Sequence, residues 1–237
     1  MDAYAYDLLE KIKKPKLTFD LMPLDKKPEV TVLSHIGGKP YIEKHEHPPL
    51  CHCCKQKMPF VFQLNVPSSD KECVLYVFYY CFHCNKIEGN KGFSVLKYKN
   101  PSLEKANPLA ETSKVTYSHF EFEFYWSLPN WEALTILHPE VANYFFEQDK
   151  EEFDIIYEES KEDFLDSLNF DTFSFYGGYP NFLNKPVFPS CDCCKETMKP
   201  WIQVDSYDEL SFHWKNLGVL HVFQCINGND NFKILIE

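Results

Sequence analysis

Two pairs of cysteines in the first half of the chain have the types and the spacing of a metal site. Two residues separate Cys51 from Cys54, the same spacing separates Cys81 from Cys84, and 26 residues lie between the pairs. Four thiolates on two such knuckles can meet at one tetrahedral point, the ligand set of structural zinc. We therefore predict a single zinc site at these four residues, with Cys53 as a substitute for Cys54.

Other chemistries remain open for these thiols. Disulfides need an oxidising compartment, whereas the polar residues 1–4, which lack a signal-peptide core, predict a cytoplasmic protein. Inert buried thiols occur singly more often than in spaced pairs. A redox Cys-x-x-Cys normally opens a helix, whereas residues 55–59 lead into a predicted strand. A thiol-based redox protein or sensor is kept as the alternative function.

The sequence around the first cysteine pair recurs, without a gap, in the second half of the chain. Eleven of the thirty residues in 34–63 are identical to their counterparts in 174–203, where unrelated sequences would share about two. The chain is therefore interpreted as a single duplicated domain over 1–237, with repeat 1 at 31–99 and repeat 2 at 171–237.

The second repeat keeps only part of the thiol set. Cys191, Cys193 and Cys194 match the first knuckle, but the second knuckle is reduced to Cys225. Cys191, Cys194 and Cys225 form a second candidate thiol cluster, and His221 is a candidate fourth ligand that a strand can also turn away from the thiols. Because closed zinc sites need four ligands, we predict that these thiols pack or stay free, with a second zinc as the alternative.

The elements that must position these thiols are mostly strands. Apolar stretches rich in β-branched and aromatic residues predict three strands in each repeat, so the fold class is α+β with internally duplicated antiparallel β units. Between the repeats, segment 100–170 is predicted as an acidic connector. It contains a strand at 119–126, helices beginning at Trp131 and Pro139, and an amphipathic helix over 147–166.

Charge is concentrated in this connector. The net charge is −11, and residues 100–173 contain 17 acidic residues against 4 lysines. The chain has no arginine, which together with its negative charge argues against nucleic-acid binding. No apolar run is long enough to span a membrane. The acidic face of this helix is either simply solvated or a surface for a basic protein client. For the second alternative the candidate partner-binding residues are Glu151, Glu152, Asp154, Glu158 and Glu159.

No catalytic motif was found in the sequence, so we expect no enzymatic activity. The chain has no nucleophile elbow, zinc-protease or phosphate-loop signature. The Gly-Gly pairs at 37–38 and 177–178 predict tight turns. Gln63 and Gln203 are interpreted as buried amides within strands. A small-molecule groove between the repeats is a third hypothesis.

Several short motifs resemble the bacterial YwqG-like family. They are Ser-x-Ile-Gly-Gly-x-Pro at 34–40, Leu-Pro-x-Trp at 128–131, Tyr-Gly-Gly-Tyr-Pro at 176–180, Trp-Ile-Gln-Val-Asp-Ser at 201–206 and Trp-x-x-x-Gly at 214–218. The cysteine knuckles of repeat 1, together with Gln-Leu-Asn-Val-Pro at 63–67 and Leu-Tyr-Val-Phe at 75–78, also resemble the related, zinc-knuckled programmed cell death protein 2 family.

The resemblance implies a duplicated α+β fold without known enzymatic activity. The eukaryotic relatives act as chaperones for a ribosomal protein, and some bacterial relatives have been suggested as immunity proteins. The second repeat departs from the bacterial pattern because it carries thiols. Our functional hypothesis is a non-enzymatic protein-binding module, a chaperone or toxin-immunity protein for a basic client, with structural zinc in repeat 1.

Overall fold

The computed structural model describes residues 2–23, 29–67, 73–84, 92–165, 174–210, 212–214, 217–228 and 231–237. The helices are α1 (Ala3–Ile12), α2 (Trp131–Leu137), α3 (Pro139–Gln148) and α4 (Phe153–Leu165), with a short 3-10 turn at Asp208–Leu210. The strands are β1 (Lys14–Pro23), β2 (His35–Ile36), β3 (Phe60–Pro67), β4 (Cys73–Tyr80), β5 (Phe93–Lys99), β6 (Ser118–Ser127), β7 (Phe175–Gly177), β8 (Lys199–Val204), β9 (Leu220–Gln224) and β10 (Phe232–Ile236).

All ten strands form one antiparallel sheet in the order β10-β9-β8-β7-β1-β6-β2-β3-β4-β5. Its centre is the β1–β6 pair, which runs in register from Lys14 opposite Ser127 to Pro23 opposite Ser118. On its other edge β6 pairs with β2, whereas β1 pairs with β7. Each half of the sheet therefore has five strands, and the N-terminal strand β1 belongs to the half that is otherwise built from the C-terminal residues.

The two halves share their pairing register and several contacts. Gln63 lies opposite His35, and its counterpart in the second repeat, Gln203, lies opposite Phe175, the counterpart of His35. Both halves also have a bulge just before the glutamine, between Phe60 and Phe62 and between Pro200 and Ile202. The predicted strands of both repeats are thus confirmed, and the equal registers place the two cysteine loops in equal positions.

The sheet curls so that the inner faces of its halves pack against each other. The ring of Tyr76 on β4 lies 4.7 Å from that of Trp201 on β8, and the ring of Tyr80 lies 5.2 Å from that of Trp214. Trp201 and Trp214 are buried together with Phe78 in one continuous apolar core. Burial of large aromatic surface on both sides stabilises the curl.

The helices pack at the end of the sheet where β1 begins and β6 ends. Leu9, Leu134, Phe145 and Tyr157 form their buried core. As predicted, Asn130 caps α2, its side chain accepting a hydrogen bond from the Ala133 amide at 2.9 Å, and α3 begins at its proline. Within the described ranges, the helices are too short or too polar to cross a bilayer.

The predicted single helix over 147–166 is wrong. α3 ends at Gln148 and α4 begins at Phe153. Asp149 between them is extended, and its carboxylate accepts hydrogen bonds from the amides of Glu151 and Glu152. This local capping competes with continuation of the helix, which is typical of aspartate. Residues 166–170, including the end of the predicted helix, lie outside the described residues.

The Gly-Gly pairs form the predicted tight turns, with φ between 61° and 74° at all four glycines. Gly37 is the most constrained of them. A β-carbon there would lie 2.4 Å from the carbonyl oxygens of Val115 and Thr116. Only glycine therefore lets the segment before β6 approach β2 so closely.

Candidate functional site

The first thiol cluster brings together the four cysteines selected from the sequence. The sulfurs of Cys51, Cys54, Cys81 and Cys84 all lie within 4.8 Å of one another. One pair sits in the loop before β3 and the other directly follows β4, so the antiparallel pairing of β3 with β4 delivers both pairs to the same end of the sheet. Cys51 and Cys81 are buried, and the other two are half-buried.

The spacing of these sulfurs suits a tetrahedral ion. Cys51 Sγ lies 3.7 Å from Cys84 Sγ, and Cys54 Sγ lies 3.6 Å from Cys81 Sγ. Four sulfurs bound to zinc at about 2.3 Å in a tetrahedron would be about 3.8 Å apart. The donor set therefore fits a zinc-like ion after only small shifts of the sulfurs.

The backbone of the first knuckle prepares its thiol for metal binding. The Cys51 carbonyl accepts a hydrogen bond from the Lys55 amide at 2.9 Å, and Lys55 adopts a left-handed conformation with φ of 60°. In this tight loop the amide of Cys54 donates to the Cys51 sulfur and lowers its pKa. Burial opposes this effect, the Cys53 amide adds to it, and the resulting pKa of Cys51 is about 6. A lowered pKa favours the thiolate, which is the metal-binding form.

The residues beside the first cluster stay outside it. Cys53, the predicted substitute for Cys54, is exposed and is not one of the four clustered thiols. His52 and His83 are exposed as well. The first cluster is thus built from sulfur alone among the described residues.

The second thiol cluster contains one more member than the sequence analysis selected. The sulfurs of Cys191, Cys193, Cys194 and Cys225 also lie within 4.8 Å of one another. Cys193 Sγ lies 3.1 Å from Cys191 Sγ and 3.6 Å from Cys225 Sγ, while Cys194 Sγ lies 3.7 Å from Cys225 Sγ. The pKa of Cys191 is lowered to about 6, first by the contact of its sulfur with Cys193 and then by the amide of Cys194.

His221, the fourth ligand considered from the sequence, is engaged elsewhere. Its Nε2 lies 2.9 Å from a carboxylate oxygen of Glu237, and its ring stacks on Phe182 at 4.8 Å. The residue that completes the second cluster is Cys193. The adjacent cysteines in Cys-x-Cys-Cys were the signal for it, but their spacing alone does not show which of the two faces inward.

The predicted partner-binding acids split into two groups. Glu151, Glu152, Asp154 and Glu159 are exposed on α4 and on the turn before it. Glu158 is instead half-buried, and its carboxylate interacts with other residues of the same chain. Its carboxylate accepts a hydrogen bond from the amide that begins α2, at 3.2 Å, and it pairs with Lys161.

An apolar groove, expected only in general terms between the repeats, lies on the inner side of the central strands. Its volume is about 710 Å³. Phe122 and Phe124 of β6 are 41% and 56% exposed there. Lys14 and Lys199 also line it, and burial, then the charge of Lys199, lowers the pKa of Lys14. The alternating aromatic residues of β6 were the sequence signal for this surface.

Comparison with known proteins identifies a family. No curated protein matches the chain. Residues 34–230 match a family that is described as a domain of unknown function, DUF1963. The match begins at the first residue of the recurring segment and includes both thiol clusters, α2 to α4 and most of both halves of the sheet. The chain therefore belongs to the DUF1963 family.

Proposed function

We propose that this protein is a non-enzymatic protein-binding module that recognises a basic partner through its helical face. The observation that carries the proposal is the exposure of acidic side chains on α2, α3, α4 and their connections. Residues 131–165 contain eleven carboxylates and two lysines, and every one of these carboxylates except that of Glu158 is exposed. A surface of this sign accelerates encounter with Lys- or Arg-rich proteins.

The apolar groove supports the same proposal, because it offers contact area next to the charged face. The exposed aromatic residues of β6 end at Trp126, and the Lys13 ammonium lies 4.3 Å from the Trp126 ring and 5.8 Å from the Phe164 ring of α4. Exposed aromatic surface of this kind marks interaction sites. Because Lys14 and Lys199 line the groove, we expect the partner's basic residues on the helices and its apolar residues in the groove.

The partner class follows from the family resemblance. The cysteine knuckles resemble those of the programmed cell death protein 2 family, and the remaining motifs resemble YwqG-like proteins. The chaperone role that the first resemblance implies, and the immunity role suggested for some relatives in the second, support a client that is bound rather than chemically modified. A ribosomal protein held by a chaperone, or a nuclease toxin held by an immunity protein, would each present the positive charge that the helical face requires.

The matching contacts of the two halves support an internal duplication joined by an acidic connector. Gln63 accepts a hydrogen bond from the Tyr41 amide, and Gln203 accepts one from the Asn181 amide, the equivalent amide of the second repeat. The Ser34 and Ser174 hydroxyls likewise accept from the amides of residues 65 and 205, each at 2.9 Å. We infer that one ancestral unit was copied and that both copies kept these contacts.

The first thiol cluster is proposed to hold structural zinc. Its sulfur-only ligand set is closed, which is typical of structural rather than catalytic sites. The ion would tie the loop before β3 to the end of β4. Because thiolate ligands persist in a reducing compartment, we propose a cytoplasmic location.

Capture from a native lysate, followed by mass spectrometry, tests the binding proposal. The Glu151→Lys/Glu152→Lys variant is compared with Glu104→Lys/Glu196→Lys, which changes the charge equally at exposed residues outside the helices. We expect a defined Lys- or Arg-rich protein to be captured at low salt by the wild type and the control, but not by the helical variant. Equal capture by both variants, or capture insensitive to salt, would contradict the proposal.

A thiol-based redox function is the second candidate, and the 3.1 Å approach of the Cys191 and Cys193 sulfurs favours it. Cys193 is also exposed, so an oxidant can reach it. A redox protein would show fast alkylation of these thiols without a chelator and reversible loss of two thiols with oxidant. Thiols held by zinc would be protected until a chelator is added.

A further inference from the structure

We propose that the second thiol cluster is a second metal site, in which Cys193 replaces a ligand that its hairpin has lost, and that it releases its ion before the first. The ligand class is a thiophilic divalent ion of zinc size. The inference does not depend on the partner-binding proposal.

The lost ligand can be identified from the equivalent turns after β4 and β9. In the first half the Cys84 amide donates to the Cys81 carbonyl at 3.3 Å. In the second half the Gly228 amide donates to the Cys225 carbonyl at 3.2 Å. Cys225 therefore takes the place of Cys81, and Gly228 takes the place of Cys84. A second site built like the first would have only three sulfurs.

Cys193 supplies the fourth sulfur from the other loop. Its counterpart in the first half is Cys53, which lies outside the first cluster. The two loops are otherwise alike, because Lys195 donates its amide to Cys191 at 2.9 Å and has φ of 65°, as Lys55 does toward Cys51. The inclusion of Cys193 is thus the change that accompanies the loss of a cysteine at position 228.

The surroundings of the second cluster are suited to thiolates. Cys191 and Cys225 are buried, and ionised sulfurs at such positions need compensation. The Asn231 side-chain amide lies 3.5 Å from Cys191 Sγ as a donor, and Lys233 reaches the same loop through Asp192 and the Ser190 carbonyl. Donors outside the ligand shell stabilise metal-bound thiolates in this way. A bound cation would neutralise the remaining charge.

The geometry predicts that this site holds its ion less firmly. Three ligands come from the short loop 191–194, and the 3.1 Å separation of the Cys191 and Cys193 sulfurs is shorter than the tetrahedral edge of about 3.8 Å. Cys193 is also exposed, whereas Cys84, which it replaces, is half-buried. A chelator therefore meets an accessible, strained ligand in the second site.

Metal content of the full chain, purified with zinc under reducing conditions, tests the proposal. We expect two ions per wild-type chain, one in Cys193→Ser, and two in Cys53→Ser, the matched control in the first loop. The Cys193→Ser/Gly228→Cys variant should bind two ions again, because it restores the ligand pattern of the first site. The added β-carbon at Gly228 meets no described atom within 4 Å, although its φ of 69° favours glycine.

Transfer of zinc to a colorimetric chelator tests the order of release. We expect a fast and a slow phase of equal size in the wild type, with the fast phase missing from Cys193→Ser and retained in Cys53→Ser. The proposal is overturned if the wild type binds one ion and Cys51→Ser binds none, or if Cys193→Ser still binds two. A disulfide between Cys191 and Cys193 in freshly prepared reduced protein, detected by mass spectrometry, would also overturn it.

Discussion

The two thiol clusters occupy equal positions in the two halves of the sheet but are assembled differently. The first takes two sulfurs from each of two loops, and the second takes three from one loop and one from the other. The second loop of the later half has Gly228 where the earlier half has Cys84. The difference teaches that a four-sulfur cluster able to hold a metal ion is defined by where the sulfurs lie in space, and that different sets of residues can supply them.

The largest effect is expected from removing one buried ligand of the first cluster. Cys81→Ser should abolish metal binding there and lower the free energy of unfolding by more than about 4 kcal/mol, because metal binding is coupled to folding. The equivalent change, Cys225→Ser, should cost less, about 2 kcal/mol, since the more weakly bound ion contributes less to stability. Urea unfolding of both variants, with bound zinc measured in parallel, checks the difference.

Cys53→Ser is the control for this comparison, because Cys53 is exposed and outside the first cluster. It should change stability by less than about 0.5 kcal/mol. Equal losses in Cys81→Ser and Cys225→Ser would show that the two clusters stabilise the fold to the same extent. A larger loss in Cys225→Ser would reverse the comparison.

Local signals in the sequence predicted much of the fold. Apolar stretches rich in β-branched and aromatic residues identified β3, β4 and β5 and their counterparts, and the residues Asn130 and Pro139 marked the helix starts. The pairing of β1 with β6 and β7 could not be predicted, because it joins residues as distant in the sequence as Lys16 and Gly177 through contacts that no local pattern records. The break at Asp149 was missed because helical periodicity outweighed the capping tendency of aspartate.

For the candidate site, spacing was sufficient in one half and insufficient in the other. Two Cys-x-x-Cys pairs at the ends of paired strands selected the four sulfurs of the first cluster. In the second cluster the choice between Cys193 and a histidine depended on side-chain direction. His221 is turned toward Glu237, a contact between residues that lie 16 apart in the sequence and that no local pattern records.

The next largest effect is expected at the equivalent glutamines of β3 and β8, which are both buried. Gln63 accepts from the Tyr41 amide and donates to the carbonyls of Thr31 and Leu33. Gln203 accepts from the Asn181 amide, and within the described ranges its Nε2 meets no acceptor. Gln63→Leu should therefore lower the free energy of unfolding by about 3 kcal/mol and Gln203→Leu by about 1 kcal/mol, as measured by urea unfolding.

If Gln203→Leu lowered the free energy of unfolding as much as Gln63→Leu, the two side-chain amides would stabilise their loops equally. The control is Gln224→Leu on β9, which is only partly buried. It should change the free energy of unfolding by less than either. Bound zinc should remain at the wild-type level in all three variants, because none of these residues belongs to a thiol cluster.

An effect of about 2 kcal/mol that appears only when the pH falls below neutral is expected at His35, where the second half has Phe175. Burial lowers the pKa of His35 to about 4, and the Gly37 carbonyl, 2.9 Å from its Nδ1, opposes this shift without cancelling it. The unfolded chain protonates His35 near pH 6.5, so the folded protein loses stability as the pH falls from about 6.5 to about 4. Between pH 7 and pH 5 this amounts to about 2 kcal/mol, and His35→Phe, which copies the second half, should remove that part of the pH dependence. Urea unfolding at the two pH values measures it, and an unchanged slope in the variant would show that other groups are responsible, such as His221 and His138, whose pKa values burial also lowers.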